Sequence, residues 1–598
     1  MLSAEYSIPA HPAFCLLPTA YCLLPTAYCL LPTAFCFLCT LLLTSLLRYD
    51  WSMPTSIKTD VIIVGAGPTG LALACQLTRY QVDFVIIDKR EGVTPYSKAL
   101  GVHARTLEIY EQLDLAEKAV EQGTIAGKVR MLERGEVLGQ VELSNVGRGL
   151  SAYPFMLVLE QSRNEQLMYD WLKSHDREVL WQTELESFSQ DGGAVTAHVK
   201  NSSAESRTIE GKYLVGCDGP RSPVRHALGL RFEGSTFERL FYVADVRIDW
   251  KFSHDALTVC LAPHGVVAFF PMPGEKRWRI VGAFPEGHEK DEREIVYEEI
   301  EAQIKEDAEL ELDITRVDWF STYKVHTRHV DKFSAGRCFV AGDAAHIHTP
   351  AGGQGMNTGI QDAYNLAWKL ALVLKHSANA QLLDTYNEER LPNAKRLTAT
   401  TDRMFNLAAG KDWFVGLIRT TIFPPLAKYI LSIEAVRKKF FILISQIGIT
   451  YRSGSLSMHE TDADEGDRQF EVKAGDRMPY FLVDGESIYD RLRAPKFHLL
   501  TFSDLESVGE KKPSGSAGVV NNRGEDLVGD EGVLSETESK NVRLIDRHVI
   551  PLDPNVVGIF GFDKPFNVLL RPDNYIGFIS SDTSQQPLSN YFARFFNH

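Results

Sequence analysis

Apolar runs, each followed by a glycine-rich loop and an amphipathic segment, recur along the chain and predict strand–loop–helix units. The first run is 61–64, after which the apolar positions follow a helical period. A second strand is predicted at 83–87 and a third at 338–341. The third leads through a glycine-rich loop into a long amphipathic helix that begins near 356–357. Strands that alternate with helices in this way favour a mixed α/β fold.

The loop after the first strand carries a dinucleotide fingerprint between a strand and a helix, the context that gives it meaning. Gly65 allows the tight turn, Gly67 lets the backbone approach a pyrophosphate, and Gly70 lets the helix pack against the strand. The helix N-terminus then faces the anion. Asp88 ends the second strand, 88 − 67 = 21 residues past Gly67, where a carboxylate can accept hydrogen bonds from a ribose. These residues predict a nucleotide site.

The third unit has the chemistry of a second cofactor contact. Asp343 stands at a strand end, where its carboxylate can accept hydrogen bonds from hydroxyl groups of a cofactor. The loop 349–355 feeds a helix whose first turn offers free N–H groups and the positive end of a dipole. An anionic part of a cofactor would be stabilised at such a helix end. The density of glycine in this loop favours a cofactor site over a plain connection.

Composition and charge narrow the function classes. The chain has 598 residues, 44% hydrophobic and 24% charged, which is ordinary for a globular protein. The formal net charge of −15 argues against a nucleic-acid partner, because phosphate contacts need clustered Lys and Arg. Five of the nine cysteines lie in the first forty residues and the others are scattered singly. We therefore expect a reduced, cytoplasmic protein without a disulfide framework or structural zinc.

The first 52 residues differ from the rest of the chain. Residues 15–35 repeat a seven-residue unit that places a proline in each copy, and no Asp, Glu, Lys or Arg occurs between Glu5 and Arg48. A membrane anchor is one interpretation, but the apolar run after the last proline, 33–47, has 15 residues, short of the roughly 20 needed to span a bilayer. We favour translated upstream sequence with Met53 as the true start, and we do not expect a membrane partner.

Three motifs in a fixed order carry a family resemblance. The glycine fingerprint is followed by a DG motif, in which Asp218 and Gly219 precede Arg221, and by a GD motif, Gly342 and Asp343. The chain resembles the flavoprotein aromatic hydroxylases of the para-hydroxybenzoate hydroxylase and phenol hydroxylase group from about residue 60 to 392, and more weakly to its end. The resemblance implies permanently bound FAD, with NADPH or NADH as a visiting co-substrate that has no domain of its own, and a homodimer is a family expectation.

The resemblance also implies roles for individual residues. Met356 and Asn357 would supply backbone contacts to the flavin ring, Pro350 would lie at its substrate side, Arg105 over the flavin phosphates near the path of NAD(P)H, and Gln161 against the cofactor. Pro350 and Arg105 are the predicted catalytic residues. The predicted cofactor-binding residues are Gly65, Gly67, Gly70, Asp88, Arg105, Gln161, Asp218, Gly219, Arg221, Gly342, Asp343, Gly353, Gly355, Met356 and Asn357.

The expected reaction is hydroxylation of a small aromatic substrate by O₂. It needs a reduced flavin and a dry pocket that protects the flavin C4a-hydroperoxide. Because oxygen transfer is electrophilic, the ring should be a phenol ionised by a positioned base. His103, Tyr323 and His348 are candidates for that base, and the residues leave the choice open. We predict no metal at His346 and His348, because no third ligand is placed by the sequence.

The middle segment is predicted to supply a sheet that roofs the pocket, with a hairpin that includes the apolar strand 266–271. Phe269, Phe270 and Trp278 could line the pocket, but core packing is the better expectation. The predicted architecture is a Rossmann-type FAD-binding domain with an inserted β-sheet substrate domain and a C-terminal thioredoxin-like domain without redox cysteines. The predicted boundaries are a leader, 1–52; the FAD-binding domain, 53–230 and 325–405; the substrate domain, 231–324; a helical connector, 406–465; and the thioredoxin-like domain, 466–598, with a mobile loop at 513–539.

Other functions are weighed against this one. A flavin-dependent halogenase shares the fingerprint but carries a W-x-W-x-I-P motif that this chain lacks. A flavoprotein reductase or isoprenoid epoxidase would not need the thioredoxin-like tail. A non-enzymatic protein could bind or sequester an aromatic compound on a flavin scaffold, and would consume NAD(P)H without an oxygenated product.

Overall fold

The computed structural model of the protein describes residues 56–95, 99–262, 265–285, 295–349, 353–409, 433–458, 470–503 and 544–596. The predictions for the leader at 1–52, for Pro350 and for the loop at 513–539 lie outside these residues. Within the described part of the chain, no helix is both long and apolar enough to cross a membrane.

Both strands and helices occur along the described chain, and several strands often follow one another before the next helix. The strands are β1 (Ser56–Val64), β2 (Phe84–Ile87), β3 (Gly101–Val102), β4 (Thr124–Ala126), β5 (Lys128–Glu133), β6 (Glu136–Glu142), β7 (Met156–Val158), β8 (Val179–Leu180), β9 (Thr183–Gln190), β10 (Val195–Asn201), β11 (Ser206–Gly216), β12 (Phe232–Asp249), β13 (Ala256–Ala262), β14 (Gly265–Pro271), β15 (Arg277–Ala283), β16 (Asp313–Val330), β17 (Ser334–Ala335), β18 (Cys338–Val340), β19 (His346–Ile347), β20 (Leu482–Val483), β21 (Glu486–Ser487), β22 (Phe497–Ser503), β23 (Ile545–Pro551), β24 (Phe566–Leu570) and β25 (Ile576–Ser580). The helices are α1 (Pro68–Arg79), α2 (Ala104–Glu111), α3 (Ala116–Gln122), α4 (Leu143–Gly147), α5 (Gln161–Lys173), α6 (Pro223–Ala227), α7 (Tyr297–Ala308), α8 (Gly355–Leu374), α9 (Asp384–Ala409), α10 (Glu434–Ser445), α11 (Pro554–Phe560) and α12 (Gln586–Phe592).

A largely parallel sheet forms the part of the molecule that carries the predicted nucleotide site, here called the cofactor half. Its strands run in the order β17-β18-β11-β1-β2-β8, with β10 and β9 added beside β11. The four residues of the first predicted strand, Val61 to Val64, are buried because helices α1 and α8 belong to the same core. The three strands predicted from apolar runs are present as β1, β2 and β18, and the predicted long helix begins at Gly355. The predicted α/β fold is therefore confirmed.

A second sheet of eight strands, here called the substrate sheet, runs in the order β19-β16-β12-β15-β14-β13-β5-β6 and is antiparallel except between β13 and β5. Helix α7 covers one of its faces. Phe269 and Trp278 are buried in the core beneath α7, whereas Phe270 points to the other face and is half-buried. Strands β5 and β6 come from residues 128–142, ahead of the predicted insert.

The C-terminal part forms a separate four-stranded sheet in the order β23-β22-β24-β25, with β22 and β23 parallel and the other pairs antiparallel. Helix α11 packs into the core on one side of this sheet. The order is compatible with the predicted thioredoxin-like domain, which stays a prediction. The four cysteines among the described residues, Cys75, Cys217, Cys260 and Cys338, are buried and form no disulfide with one another.

Candidate active site

The turn after β1 leaves open space at one glycine only. Gly65 has φ +101, and a Cβ there would stand 2.4 Å from the carbonyl oxygen of Cys217. A Cβ on Gly70 would stand 1.9 Å from the carbonyl oxygen of Gly65, while a Cβ on Gly67 would meet nothing within 4 Å. Gly67 also caps α1 without any side-chain hydrogen bond, so the first N–H groups of that helix are available. The turn therefore forms a cradle that fits a pyrophosphate.

Asp88 closes the cradle from the end of β2. Its carboxylate accepts a hydrogen bond from the backbone N–H of Ala66 at 2.7 Å, and Arg90 donates to both of its oxygens at 3.0 and 3.1 Å. Arg90 also donates to Glu165 at 3.2 Å, and Glu165 in turn accepts from Gln161 at 2.9 Å. Asp88 and Gln161, both predicted from the sequence, thus belong to one hydrogen-bonded chain. Arg90 and Glu165 were not predicted.

The DG and GD motifs meet this turn directly. A Cβ on Gly342, which has φ +61, would stand 2.3 Å from the hydroxyl of Thr69. Asp218 accepts from the backbone N–H of Val224 at 3.0 Å, but its Oδ1 is buried without a partner among the described residues. Burial raises the pKa of Asp218, against the hydrogen bonds that it accepts. This orphaned carboxylate oxygen and the open space at Gly67 are what a bound nucleotide would fill.

A buried arginine that the sequence analysis missed joins the two motifs. Arg225 donates to the carbonyl oxygens of Ala344 at 3.1 Å and Pro220 at 2.9 Å. The predicted Arg221, by contrast, is exposed, and so is Asp343, while Gly219 has φ +80 in the turn that precedes Arg221. The sequence analysis named Arg221 alone, and the burial of Arg225 becomes visible only in the folded chain.

Asp362, inside α8, is a second residue that the sequence analysis missed. It accepts hydrogen bonds from the N–H of Gly342 at 2.9 Å, from His346 Nε2 at 2.7 Å and from Arg390 Nε at 2.6 Å. Burial raises the pKa of Asp362, but the Arg390 cation and His346 outweigh burial and hold that pKa below its usual value. Asp362 thereby fixes the GD turn against α8, and this use of His346 explains its place in the sequence without a metal.

Asn357 organises the glycine loop at the start of α8. Its side chain is fully buried; Oδ1 accepts from the N–H of His103 at 2.9 Å, and Nδ2 donates to the carbonyl oxygens of Gly101 at 2.9 Å and Gly353 at 3.0 Å. The amide thus joins β3 to the loop, and the first-turn N–H groups that begin at Gly355 are held in place. Residues 350–352 of this loop, which include Pro350, lie outside the described residues.

The three candidate bases have different surroundings. His103 donates from Nε2 to the carbonyl oxygen of Gly353 at 3.1 Å. Burial raises the pKa of Tyr323 to about 12. Burial lowers the pKa of His348 to about 4; its Nδ1 donates to the carbonyl oxygen of Thr349 at 2.8 Å, and its Nε2 has no partner within the described part of the chain. That nitrogen lies 3.5 Å from where a Cβ on Gly355 would stand.

Arg105 is placed away from the cradle. It is 1% exposed, donates to Glu108 at 3.1 Å and to the carbonyl oxygen of Asp573 at 2.9 Å, and lies between the rings of Tyr364 and Tyr575. These bonds use both terminal nitrogens, and Nε is buried without a hydrogen-bond partner among the described residues. Its predicted role toward cofactor and NAD(P)H stays a prediction.

Comparison with known proteins agrees with this geometry. A family model described as FAD binding domain matches residues 58–401. The chain is 39% identical over 348 residues to the 6-methylpretetramide 4-monooxygenase of Streptomyces rimosus, and the aligned region covers 58% of this chain and 62% of that protein. It is 33% identical over 463 residues to a flavin-dependent monooxygenase of Mycobacteroides abscessus, 74% of this chain and 88% of that protein. Among solved structures, the anhydrotetracycline hydroxylase OxyS from Streptomyces rimosus is similar, with a TM-score of 0.66 and 26% identity over 90% of this chain and 99% of that one.

The family match covers 401 − 58 + 1 = 344 of the 598 residues, more than half of the chain. It includes all three motif loops that meet in the cradle, and the predictions of FAD as cofactor and of the hydroxylase family are confirmed. The chain belongs to the FAD binding domain family of FAD-dependent aromatic monooxygenases.

Proposed function

We propose that this protein hydroxylates a phenolic aromatic compound with O₂, using bound FAD and either NADPH or NADH. The observation that carries the proposal is the direct meeting of the three motif loops. Gly65 abuts Cys217 and Asp218, and Gly342 abuts Thr69, while the space in front of Gly67 stays open. Bound FAD would supply the transfer of electrons from the nicotinamide to O₂.

The residues present fit the cofactor at both of its ends. Gly67 and the start of α1 would hold the pyrophosphate, and Asp88 the adenosine ribose. The orphaned oxygen of Asp218 and the exposed carboxylate of Asp343 offer acceptors for the hydroxyls of the chain between the two ends. The first turn of α8 would present N–H groups and a positive dipole end to an anionic ring.

The chain's own groups would orient the substrate and keep water out. The substrate sheet would cover one side of the site, and Asn357 joins the glycine loop to β3 through its side-chain amide. His348 is our choice among the three bases. With its pKa lowered to about 4, the ring is neutral at neutral pH, and Nε2 is an acceptor that can orient a phenol hydroxyl.

Two further proposals concern the setting of the enzyme. The unbridged, buried cysteines of the described residues support a reducing compartment such as the cytoplasm. A homodimer rests on the resemblance alone. Neither proposal bears on the chemistry of the site.

The test is product analysis under labelled oxygen. The full chain is loaded with FAD and given NADPH or NADH, ¹⁸O₂ and a panel of phenols, and products are followed by mass spectrometry. A product that carries one labelled oxygen, with NAD(P)H consumption stimulated by the same phenol, supports the proposal. NAD(P)H oxidation that yields only H₂O₂ with every phenol would contradict it and favour a sequestering protein.

A further inference from the structure

The two faces of the substrate sheet are buried to different degrees. Side chains under α7, such as Trp278 and Ile280, are almost fully buried. On the opposite face, here called the inner face, Ala268, Val281 and Trp319 remain half-buried although they lie on central strands. The inner face therefore borders space that the protein itself does not fill.

A buried ion pair stands in the middle of the inner face. Asp245 on β12 and Arg279 on β15 are register partners, and the carboxylate accepts from Nε at 2.6 Å and from Nη2 at 2.7 Å. Arg279 is 2% exposed and Asp245 7%. The pair uses only one edge of the guanidinium. Nη1 is enclosed and has no hydrogen-bond partner among the described residues.

An unsatisfied donor on a buried cation is unusual. Buried polar groups in proteins are almost always hydrogen-bonded, since each unmade bond leaves the cost of desolvation uncompensated. An ion pair kept only for stability would be expected to satisfy its remaining N–H groups as well. The geometry therefore points to a ligand oxygen as the missing partner of Nη1.

The ion pair lies close to the cofactor half of the molecule. Arg277, two residues before Arg279 on the same face of β15, donates to Glu160 at 3.1 Å, and Glu160 directly precedes Gln161. Two residues along a strand correspond to about 7 Å. Arg279 thus lies about 7 Å along β15 from Arg277, the residue through which the sheet contacts the cofactor half. An aromatic ring can bridge a distance of this size.

Aromatic side chains flank the guanidinium. The ring of Trp319, the register partner of Asp245, lies with its centroid 5.8 Å from the guanidinium carbon of Arg279. Phe270 is the register partner of Arg279 on β14. Because Nη1 is enclosed, a ligand can reach it only when a covering side chain shifts. Trp319 is half-buried, and its ring lies beside the guanidinium. These rings suit a flat ligand that stacks while one of its oxygens accepts from Nη1.

We propose that Arg279 is a specificity residue for an aromatic substrate that carries a carbonyl or carboxylate oxygen apart from the phenol hydroxyl. Nη1 donates to that oxygen, Asp245 fixes the guanidinium, and Trp319 and Phe270 border the ring. This inference rests on the proposed function, because it names the class of substrate for the same site. The common chemistry is a C=O acceptor, whether from a neutral ketone or from an acid.

The test measures binding, without turnover, to the FAD-loaded full chain through the flavin absorbance spectrum. The probes are 2-naphthol, 6-acetyl-2-naphthol and 6-hydroxy-2-naphthoate, which differ only in the second oxygen group. The wild type is expected to bind one or both of the substituted naphthols about ten- to a hundredfold more tightly than 2-naphthol, the range for one hydrogen bond to a charged group. In Arg279→Gln the preference is expected to vanish. The ketone and acid arms show which source of the oxygen is preferred.

Two control variants distinguish the loss of this hydrogen bond from a general loss of charge or fold. The double variant Asp245→Asn/Arg279→Gln removes both charges together, so it loses the preference without leaving a buried carboxylate unpaired. Arg316→Gln removes an exposed cation of the same sheet and should keep the preference. Equal affinities for the three probes in the wild type, a preference that survives in both Arg279 variants, or no binding of any probe would overturn the inference. Labelled-oxygen incorporation with other phenols would still uphold the proposed function in each of these cases.

Discussion

At the scale of single residues, the glycines of the nucleotide turn serve different purposes. Neighbouring protein atoms leave no room for a side chain at Gly65 or Gly70, whereas the space in front of Gly67 contains no protein atom. Gly67 has φ −75 and ψ −174, which any residue can adopt. A methyl group there would not disturb the apoprotein, but it would occupy the place of the pyrophosphate.

Gly67→Ala is therefore expected to fold normally and to bind FAD weakly. An added methyl at a close contact costs about 1–3 kcal/mol, which corresponds to roughly a ten- to hundredfold rise in the Kd for FAD. The Kd is measured by flavin fluorescence titration of the apoprotein, and thermal unfolding of the apoprotein checks the fold. Gly65→Ala is the matched comparison: with φ +101 and a backbone oxygen in the way, it should lower the melting temperature itself. Equal FAD affinity in Gly67→Ala and wild type would refute the placement of the pyrophosphate.

His348 gives a second prediction at this scale. Replacement by Phe removes the free Nε2 acceptor while keeping a ring of similar size, so the hydroxylation rate is expected to fall about tenfold, the worth of one hydrogen bond. FAD content should stay unchanged. The measurements are the rate of product formation and the amount of product per NAD(P)H consumed. His103→Phe, by contrast, should disturb the Gly353 loop and FAD binding, because His103 bonds that loop. A His348→Phe enzyme with full rate and coupling would exclude this residue.

At the scale of elements, the parallel strands β22 and β23 place two histidines side by side. His498 Nδ1 and His548 Nε2 are 3.1 Å apart. Burial, and then the neighbouring His548, lower the pKa of His498 to about 4, and burial also lowers the pKa of His548. Because both folded-state values lie below the unfolded value of about 6.5, the unfolded chain binds more protons in acid. The pair therefore contributes stability above about pH 6.5, and this is lost as the pH falls toward 4.

The prediction is that the free energy of unfolding falls between pH 6.5 and 4 less steeply in His498→Gln than in the wild type. The reason is that Gln cannot take up the proton whose binding favours the unfolded chain. Denaturant unfolding at a series of pH values, followed by the fluorescence of the full chain, provides the slopes. His175→Gln, an exposed histidine on the cofactor half, serves as the comparison and should leave the slope unchanged. Identical slopes in wild type and His498→Gln would show that the pair does not titrate in this range.

The strands and helices also show which parts of the fold and of the site can be predicted from the sequence. The strands β1, β2 and β18 and the start of α8 follow from local apolar runs and glycines, and they are found where predicted. The recruitment of β5 into the substrate sheet could not be predicted, because its pairing with β13 joins Lys128 to Ala256, far apart in the chain. Asp362 and Arg225 escaped prediction for the same reason: a charge inside an apolar pattern shows no partner until the chain has folded.

At the scale of the whole molecule, buried charges join the cofactor half to the C-terminal sheet. Glu389 on α9 accepts hydrogen bonds from Lys369 on α8 at 2.8 Å and from Arg571 at 3.0 Å, and Arg571 also donates to Asp573 at 2.6 Å. All four side chains are at most 1% exposed. Burial raises the pKa of Glu389, but the Arg571 and Lys369 cations outweigh burial and lower it to about 2. Glu389 is thus ionised at every ordinary pH, and it balances charges from both halves.

Glu389→Gln should therefore destabilise the cofactor half and the C-terminal sheet together. The amide leaves Lys369 and Arg571 without their shared counter-charge, and the removal of one partner from a buried ion pair costs about 3–5 kcal/mol. Denaturant unfolding followed by flavin release and by the hydrogen exchange of amides in β22 to β25 should show both signals shifting to lower denaturant by the same amount. The neighbouring Glu388→Gln is the matched control, because Glu388 is exposed and bonds only Ser455 among the described residues, so a change within about 0.5 kcal/mol is expected there. If flavin release in Glu389→Gln shifted while the amide exchange of β22 to β25 kept its wild-type midpoint, the two parts would be unfolding independently, and the buried charges would not be what joins them.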